Sequence, residues 1–485
     1  MNNAGLNNSK TSKTADKVSI IIIWICLTIL SGLVMNWFFS KSDGTILGRF
    51  GAIVNAALFA ALGIRFVPLW VDAWSKTGKS ADIDTFEENG INSHNEAGKN
   101  ATLSNADLRS VSIRIFFIFL LIDLLIILLI YILQVMSGNR EPFKDALNLW
   151  RATDSASYLT IAESWYAKTG EWDRLVQLVF LPGYPILIRI VNIFFVGNYL
   201  YSAMIISALA FAGAGTMMYR LLRLDYSHEE AVRALKFLCI LPGAFFFASP
   251  MTESLYLFLS VSCFYCLRKK DWFSACALGG MASFTRSLGL VLFVPVLFEM
   301  ISHDIKENPL NTNVGIKRIM KYANLLLILF GFGCYLLVNY QVSGNPFQFL
   351  IYQKEHWHQS LGLFFNTVSY QTDYAVRCLA EKNYHNFIGL WLPNLFCIFT
   401  GLGLMLAAVK KMRPSYTAYY MVYYVIAMGA TWLLSAPRYH IALLPLPVAL
   451  SVISRKRWVE EALTVAYTIL YVLYSYAFVN RWNVW

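Results

Sequence analysis

Charge is scarce in this chain. Asp, Glu, Lys and Arg make up only 14% of its 485 residues, against 57% hydrophobic ones, and the mean hydropathy is +0.50. A soluble protein of this size has no way to hide so much apolar surface, whereas a lipid-facing bundle need not hide it. Cysteine is thin as well: eight residues, scattered and nearly all inside apolar runs, which excludes a disulfide framework. Cys263 and Cys266 form a CxxC without a second pair, inside an apolar helix, and read as buried small hydrophobes before they read as a metal or redox site. The sequence has no P-loop, no Cys or His array at metal-ligand spacing and no internal repeat. His356 and His358 flank Trp357 without further ligands in view, so no metal site is assigned and a divalent cation stays open. Asp82 to Asp84, "DID", imitates the metal-binding triplet of nucleotide-sugar transferases. Those enzymes carry it in a doubly wound domain of about 100 residues or more, and this polar segment has under half of that and no strand pattern.

What is present is a series of apolar runs. "VSIIIIWICLTILSGLVMNWFF" (18–39) and "IRIFFIFLLIDLLIILLIYILQVM" (113–136) both exceed the roughly 20 residues that a bilayer crossing needs. The first is longer than a signal-peptide core and lacks a small-residue cleavage site, so it reads as a retained helix. The formal net charge of +11 sits in short clusters between runs, the distribution that positive-inside sorting produces, and nucleic acid is the weaker reading. Lys10, Lys13 and Lys17 place the N-terminus in the cytoplasm. Alternation then puts 75–112 inside as a flexible polar linker, 137–178 outside as a loop, and the C-terminus outside. "FLPGYPILIRIVNIFF" (180–195), with two prolines and Arg189, reads as an interfacial or re-entrant helix. Further crossings are expected near 199–222, 231–249, 252–268, 271–285, 287–302, 322–342, 386–409, 415–435, 441–454 and 460–478. The expected fold is therefore all-α: a polytopic transmembrane helical bundle of about 11–13 spans, with exoplasmic loops carrying short interfacial helices. Residues 1–112 form a two-helix segment plus linker, and 113–485 the main bundle. Such a protein sits in the plasma membrane of a bacterium or the endoplasmic reticulum membrane of a eukaryote.

Five polar stretches share the exoplasmic end: Asp154; Glu253 in "SPMTESLY"; Arg286 in "FTRSLG"; Lys354 to His358 in "QKEHWH"; and Arg438 in "SAPRYH". Snorkelling to the interface explains any one of them, but not their shared face. A pocket with one or two carboxylates and several cations suits moving a sugar off a lipid phosphate. A carboxylate takes the acceptor hydroxyl's proton, and Arg or Lys neutralises the leaving phosphate in a water-poor site. Asp154 leads as the base, against a structural carboxylate paired with Arg151. Arg286 and Arg438 are phosphate clamps or, equally, helix-terminal cations paired with Glu253. Lys354 and His356 read as loop residues that bind phosphate or simply face solvent. Arg151, Glu163 and Tyr184 are secondary candidates, Glu163 standing equally well on an amphipathic surface helix. The aromatic residues around Asp154 read as an interfacial belt. The rival classes are a secondary transporter or lipid flippase, which the missing repeat argues against, and a polysaccharide polymerase or ligase, which would want a larger loop than 343–385.

The order of these elements resembles a known family. Trp150, Asp154, Ser155 and "LTIAESW" are followed by "FLPGYPILIR", "LPGAFFFASPMTESLYLF", "FTRSLG", the loop with "QKEHWH", and "APRYH". This series, over roughly residues 140–455, resembles the PIG-V-type mannosyltransferases, comprising the second mannosyltransferase of GPI-anchor synthesis and its bacterial relatives. The resemblance implies a GT-C architecture, a polyprenyl- or dolichyl-phosphate sugar donor, a glycan or glycolipid acceptor, and inverting transfer on the exoplasmic or lumenal face. It implies mannose as the sugar and Asp154 as the catalytic base. The family's Trp and Asp are adjacent, whereas Trp150 and Asp154 are four apart, and the usual Gly–Tyr element between Ile161 and Pro182 is missing.

Overall fold

The computed structural model describes residues 3–40, 44–75, 105–166, 176–195, 197–307 and 315–484. The Asp82–Asp84 triplet and most of the polar linker lie outside the described residues. In lipid every backbone N–H and C=O must be satisfied within the protein, so apolar runs of this kind fold as helices. The chain runs through α1 (Asn3–Ser40), α2 (Ile46–Ala73), α3 (Asn105–Met136), α4 (Phe143–Ala146), α5 (Ser155–Ser164), α6 (Gly183–Asn192) and α7 (Tyr199–Leu222). It continues through α8 (His228–Ile240), α9 (Glu253–Arg268), α10 (Trp272–Thr285), α11 (Phe293–Glu307), α12 (Ile316–Ala323) and α13 (Leu326–Ser343). The last third holds α14 (Gln348–Trp357), α15 (Phe364–Ala380), α16 (Leu392–Ala408), α17 (Pro414–Ala427), α18 (Ala436–Ile441), α19 (Pro445–Ile453) and α20 (Arg457–Val479). Among the described residues the strand-like pairing is an isolated antiparallel bridge, Leu361 to Ala430. The protein is an all-α, polytopic transmembrane helical bundle.

Among the described residues, eight helical runs are long and apolar enough to cross a membrane, including Asp16–Ser40, Ala106–Met136 and Arg457–Val479. The expected crossings at 231–249, 252–268, 271–285, 415–435 and 441–454 contain shorter helices, α8, α9, α10, α17 and α19, of 9 to 16 residues. At 1.5 Å per residue these reach roughly 14–24 Å, less than the hydrocarbon thickness. In α9, α17 and α19 most side chains are buried, so these helices pack mainly against protein. α7 packs between α3 and α9, and α10 lies against α13. By contrast α1 and the outer face of α3 expose rows of Ile, Leu and Phe, as lipid contact requires.

The two ends of the bundle carry different chemistry. At one end Asp225 pairs with both Arg268 and Arg413, and Arg413 also meets Glu299, which accepts from Ser415 Oγ at 2.6 Å. Asp304 binds Lys321 at 2.6 Å, Arg318 at 3.0 Å and the Tyr322 hydroxyl at 2.9 Å at that same end. Glu253 begins α9 and Arg268 finishes it. The carboxylate of Glu253 therefore lies about 24 Å from the basic end, at the opposite end of the bundle. The N-terminal helix pair is fastened along the C-terminal half: Thr45 Oγ1 donates to Asp373 at 2.5 Å, Asn55 Nδ2 to the Tyr424 hydroxyl at 2.6 Å, and Arg65 to Leu406 O at 3.0 Å.

Candidate active site

Trp150 is buried and sits 5.8 Å from the Phe478 ring, which pins the start of the turn before α5 in the core. Residues 152–154 then reverse the chain into α5. Thr153 has φ +56°, a left-handed conformation that a β-branched residue rarely adopts, and its hydroxyl lies 3.9 Å from Met251 Sδ. This tight turn occupies the four-residue interval between Trp150 and Asp154. Asp154 is the N-cap residue of α5, a position where Asp ordinarily accepts from the first helical N–H groups. It makes no side-chain cap bond there. Its carboxylate is turned to Arg438 instead, whose Nη1 donates to Oδ2 at 2.7 Å. The Asp154 side chain is 33% exposed, and among the described residues no side chain bonds Oδ1.

Arg438, on α18, is the hub of the cluster. Its Nε donates to Glu253 Oε1 at 2.8 Å, Nη2 lies 2.8 Å from the same oxygen, and Nη1 holds Asp154. Arg286 Nη1 reaches Glu253 Oε1 from another side at 3.1 Å. Glu253 is fully buried, so two cations converging on it offset a desolvation cost of several kcal/mol. All three donors meet Oε1; among the described residues Oε2 is enclosed without a hydrogen-bond partner, as is the neighbouring Ser155 Oγ. Arg286 follows the last residue of α10 with φ −150°, ending that helix in extended backbone, and its guanidinium lies 4.9 Å from the Tyr439 ring. Arg438 lies 5.5 Å from the Phe246 ring. Both arginines are fixed by aromatic faces as well as by Glu253.

Two glycines explain why "FLPGYP" and "LPGAFFF" border this site. A Cβ on Gly183 would sit 2.8 Å from Thr285 Oγ1 and 3.0 Å from Phe284 O, so only glycine lets α6 abut the chain just before Arg286. Gly243 has φ +89°, and a Cβ there would lie 3.3 Å from Pro437, beside Arg438. Tyr184, read as a secondary candidate, is fully buried; its hydroxyl donates to Ala203 O at 2.8 Å and lies 2.7 Å from Ser207 Oγ. Its ring stands edge-on to Tyr158 at 5.7 Å, placing it behind the cluster. Tyr158, one turn after Asp154, escaped the sequence reading because an aromatic in a membrane-flanking loop resembles every other belt residue. Burial pushes its hydroxyl above the usual range, and the Asp154 and Glu253 carboxylates push it the same way, so it stays a neutral donor.

The remaining candidates stand apart. Asp154 takes Arg438 as its ionic partner, not Arg151, which is exposed. Glu163 is exposed near the end of α5, and its carbonyl accepts from Arg189 Nη2 at 3.3 Å. Lys354 and His356 are exposed on α14, a helix and not the expected loop. The residues that fasten α14 are Phe349, against Tyr335 at 5.1 Å, and Trp357, edge-on to Phe180 at 6.1 Å. Phe180 in turn meets Tyr158 at 5.3 Å, so two aromatic layers separate α14 from the turn bearing Asp154. Among the described residues no three His, Cys, Asp or Glu side chains gather as a metal site would require.

The arrangement is a balanced chain of charges, Asp154–Arg438–Glu253–Arg286, with its acidic end at solvent. Asp154 retains an oxygen able to take a proton. Arg286 retains Nε and Nη2 with no partner recorded among the described residues, so it has donors to give an oxyanion.

No known family's profile matches the chain, and no curated protein matches it. Among solved structures it is similar to the crystal structure of ArnT from Cupriavidus metallidurans bound to undecaprenyl phosphate, with a TM-score of 0.41 and 12% identity over 78% of this chain and 75% of that one.

Proposed function

We propose that this protein is a GT-C-type glycosyltransferase that moves a sugar from a polyprenyl- or dolichyl-phosphate donor to a hydroxyl of a lipid-linked or cell-surface glycan on the exoplasmic face. The observation that carries the reading is Asp154: one oxygen is held by Arg438 at 2.7 Å, while the side chain stays 33% exposed. That is the geometry of a base aimed by a neighbour and reachable by an acceptor. The acceptor O–H gives its proton to Asp154, and its oxygen attacks the anomeric carbon from the face opposite the phosphate. The bond from that carbon to the phosphate oxygen breaks, and the electron pair leaves with the polyprenyl phosphate. Arg286 meets the growing phosphate charge through its uncommitted donors, and Arg438 keeps Asp154 and Glu253 in register. Tyr158 supplies a neutral hydroxyl in the same wall. Arg151, Lys354, His356 and Glu163, all exposed, are candidates for contacts with the acceptor.

Mannose as the transferred sugar rests on the resemblance of the motif series from Trp150 to Arg438. The exoplasmic placement rests on positive-inside sorting, since the opposite end carries Arg268, Arg413, Arg318 and Lys321. The test is incubation of purified protein with polyprenyl-phosphate mannose or polyprenyl-phosphate glucose and a lipid extract of its host, followed by mass analysis. The reading expects consumption of the mannose donor and release of polyprenyl phosphate. Both donors remaining intact would sink the transferase class, and consumption of the glucose donor alone would remove mannose.

A further inference from the structure

A cavity lies far from Asp154, at the basic end, in a groove between the first turns of α3 and the last turns of α7. It has a volume of about 540 Å³ and is walled by Arg109, Ser112, Ile113 and Phe116 on α3 and by Thr216 and Arg220 on α7. The spacing places each set on one helix face, three or four residues apart. Arg220 lies 5.4 Å from the Tyr265 ring, which holds its guanidinium at the groove, and among the described residues its Nε is enclosed without a hydrogen-bond partner. Neither Arg220 nor Arg109 has a carboxylate partner among the described residues. This sets them apart from Arg268, Arg413, Lys321 and Arg233 at the same end, all of which are paired. Two unpaired guanidiniums facing one groove are a vacancy for negative charge.

The hydroxyls narrow the chemistry. Ser112 Oγ donates to Leu108 O at 2.7 Å and Thr216 Oγ1 to Ala212 O at 2.9 Å, so both have spent their protons on their own helices. What they present to the groove is lone pairs, which accept from a ligand hydroxyl. Beyond the groove the lipid-facing side of α3 carries Ile113, Phe117, Leu121 and Leu124, all exposed and aligned at helical spacing. An acyl chain laid on that stripe would bring its headgroup to the arginines, at the depth where headgroups lie.

We propose that this groove binds an anionic glycerophospholipid whose headgroup carries free hydroxyls, of the phosphatidylglycerol type, in the leaflet at the basic end. The phosphodiester sits between Arg109 and Arg220, and the headgroup hydroxyls donate to Ser112 and Thr216. A zwitterionic headgroup would bring its ammonium against two guanidiniums and is rejected.

The experiment is native mass spectrometry of the full-length protein released from membranes containing phosphatidylglycerol and phosphatidylethanolamine, with the bound lipids identified after dissociation. Wild type is expected to carry phosphatidylglycerol well above its share of the membrane. Arg109→Gln and Arg220→Gln should each reduce that enrichment by roughly tenfold, equivalent to ~1.4 kcal/mol, while Arg220→Lys keeps most of it. Arg114→Gln, on α3 but outside the groove, should leave it unchanged, and melting curves of all variants check folding. Equal retention of the two lipids by wild type would overturn the proposal. So would enrichment that survives the double Arg109→Gln/Arg220→Gln change, that falls equally in Arg114→Gln, or that proves to be a polyprenyl monophosphate. No outcome depends on sugar transfer, so this proposal and the transferase reading can fail separately.

Discussion

At the scale of single residues, the site is a test of how much one buried carboxylate can hold. Glu253 is fully buried and pairs with two guanidiniums, whose charge it balances together with Asp154, so Glu253→Gln leaves an excess of buried positive charge. Breaking such a pair costs about 3–5 kcal/mol, and the expected outcome is a large fall in melting temperature together with loss of transfer. Arg438→Lys should lose activity with a smaller loss of stability, because a single ammonium lacks the separate N–H directions that reach Glu253 and Asp154 at once. Parallel melting and transfer assays on these two variants check both statements. Thr153 offers the opposite sign. Glycine there relieves about 1–2 kcal/mol of left-handed strain and costs about 0.5–1 kcal/mol of chain entropy. Thr153→Gly should therefore melt no lower than wild type while turning over more slowly, since Asp154 is less confined; a clear drop in melting temperature contradicts the strain.

At the scale of elements, separated stretches of chain meet because small residues allow close approach. Gly183→Val places methyl groups against Thr285 and the Phe284 carbonyl, and should push α6 away from the segment leading to Arg286. Overpacking of this kind costs about 1–3 kcal/mol, and transfer should fall further than stability does, measured as turnover against melting temperature on the same preparation. Much of this was legible in the sequence as isolated polar residues in apolar runs, because lipid makes such residues expensive and rare. The pairings were not legible: Asp154 and Arg438 are 284 residues apart, and no local spacing announces that they form an ion pair. Nor did the interval from Trp150 to Asp154 announce the left-handed turn at Thr153 that fills it. α14 read as a loop because Lys354 to His358 are polar, whereas its helix is fastened by Phe349 and Trp357 at its two ends. The short helices α8, α9, α10, α17 and α19 read as full crossings because hydropathy reports apolar character and not what the side chains touch.

At the scale of the whole molecule, the central division is between an end of paired cations around Asp225, Glu299 and Asp304 and an end holding Asp154 and its partners. If that division follows the membrane, a membrane-impermeant thiol reagent added outside intact cells should label Lys354→Cys and spare Lys411→Cys, with labelling reversed in inverted vesicles. Labelling of Lys411→Cys alone from outside would invert the topology and take the donor class with it. On the proposed function, Asp154 takes the acceptor's proton while a lipid phosphate leaves. That step is tested most directly by following transfer of isotope-labelled mannose from polyprenyl-phosphate mannose in wild type and in Asp154→Asn, both confirmed as folded by their melting curves. The expected result is donor consumption with release of polyprenyl phosphate in wild type, and turnover reduced by about 100-fold or more in the variant. Near-wild-type turnover in Asp154→Asn would contradict the account.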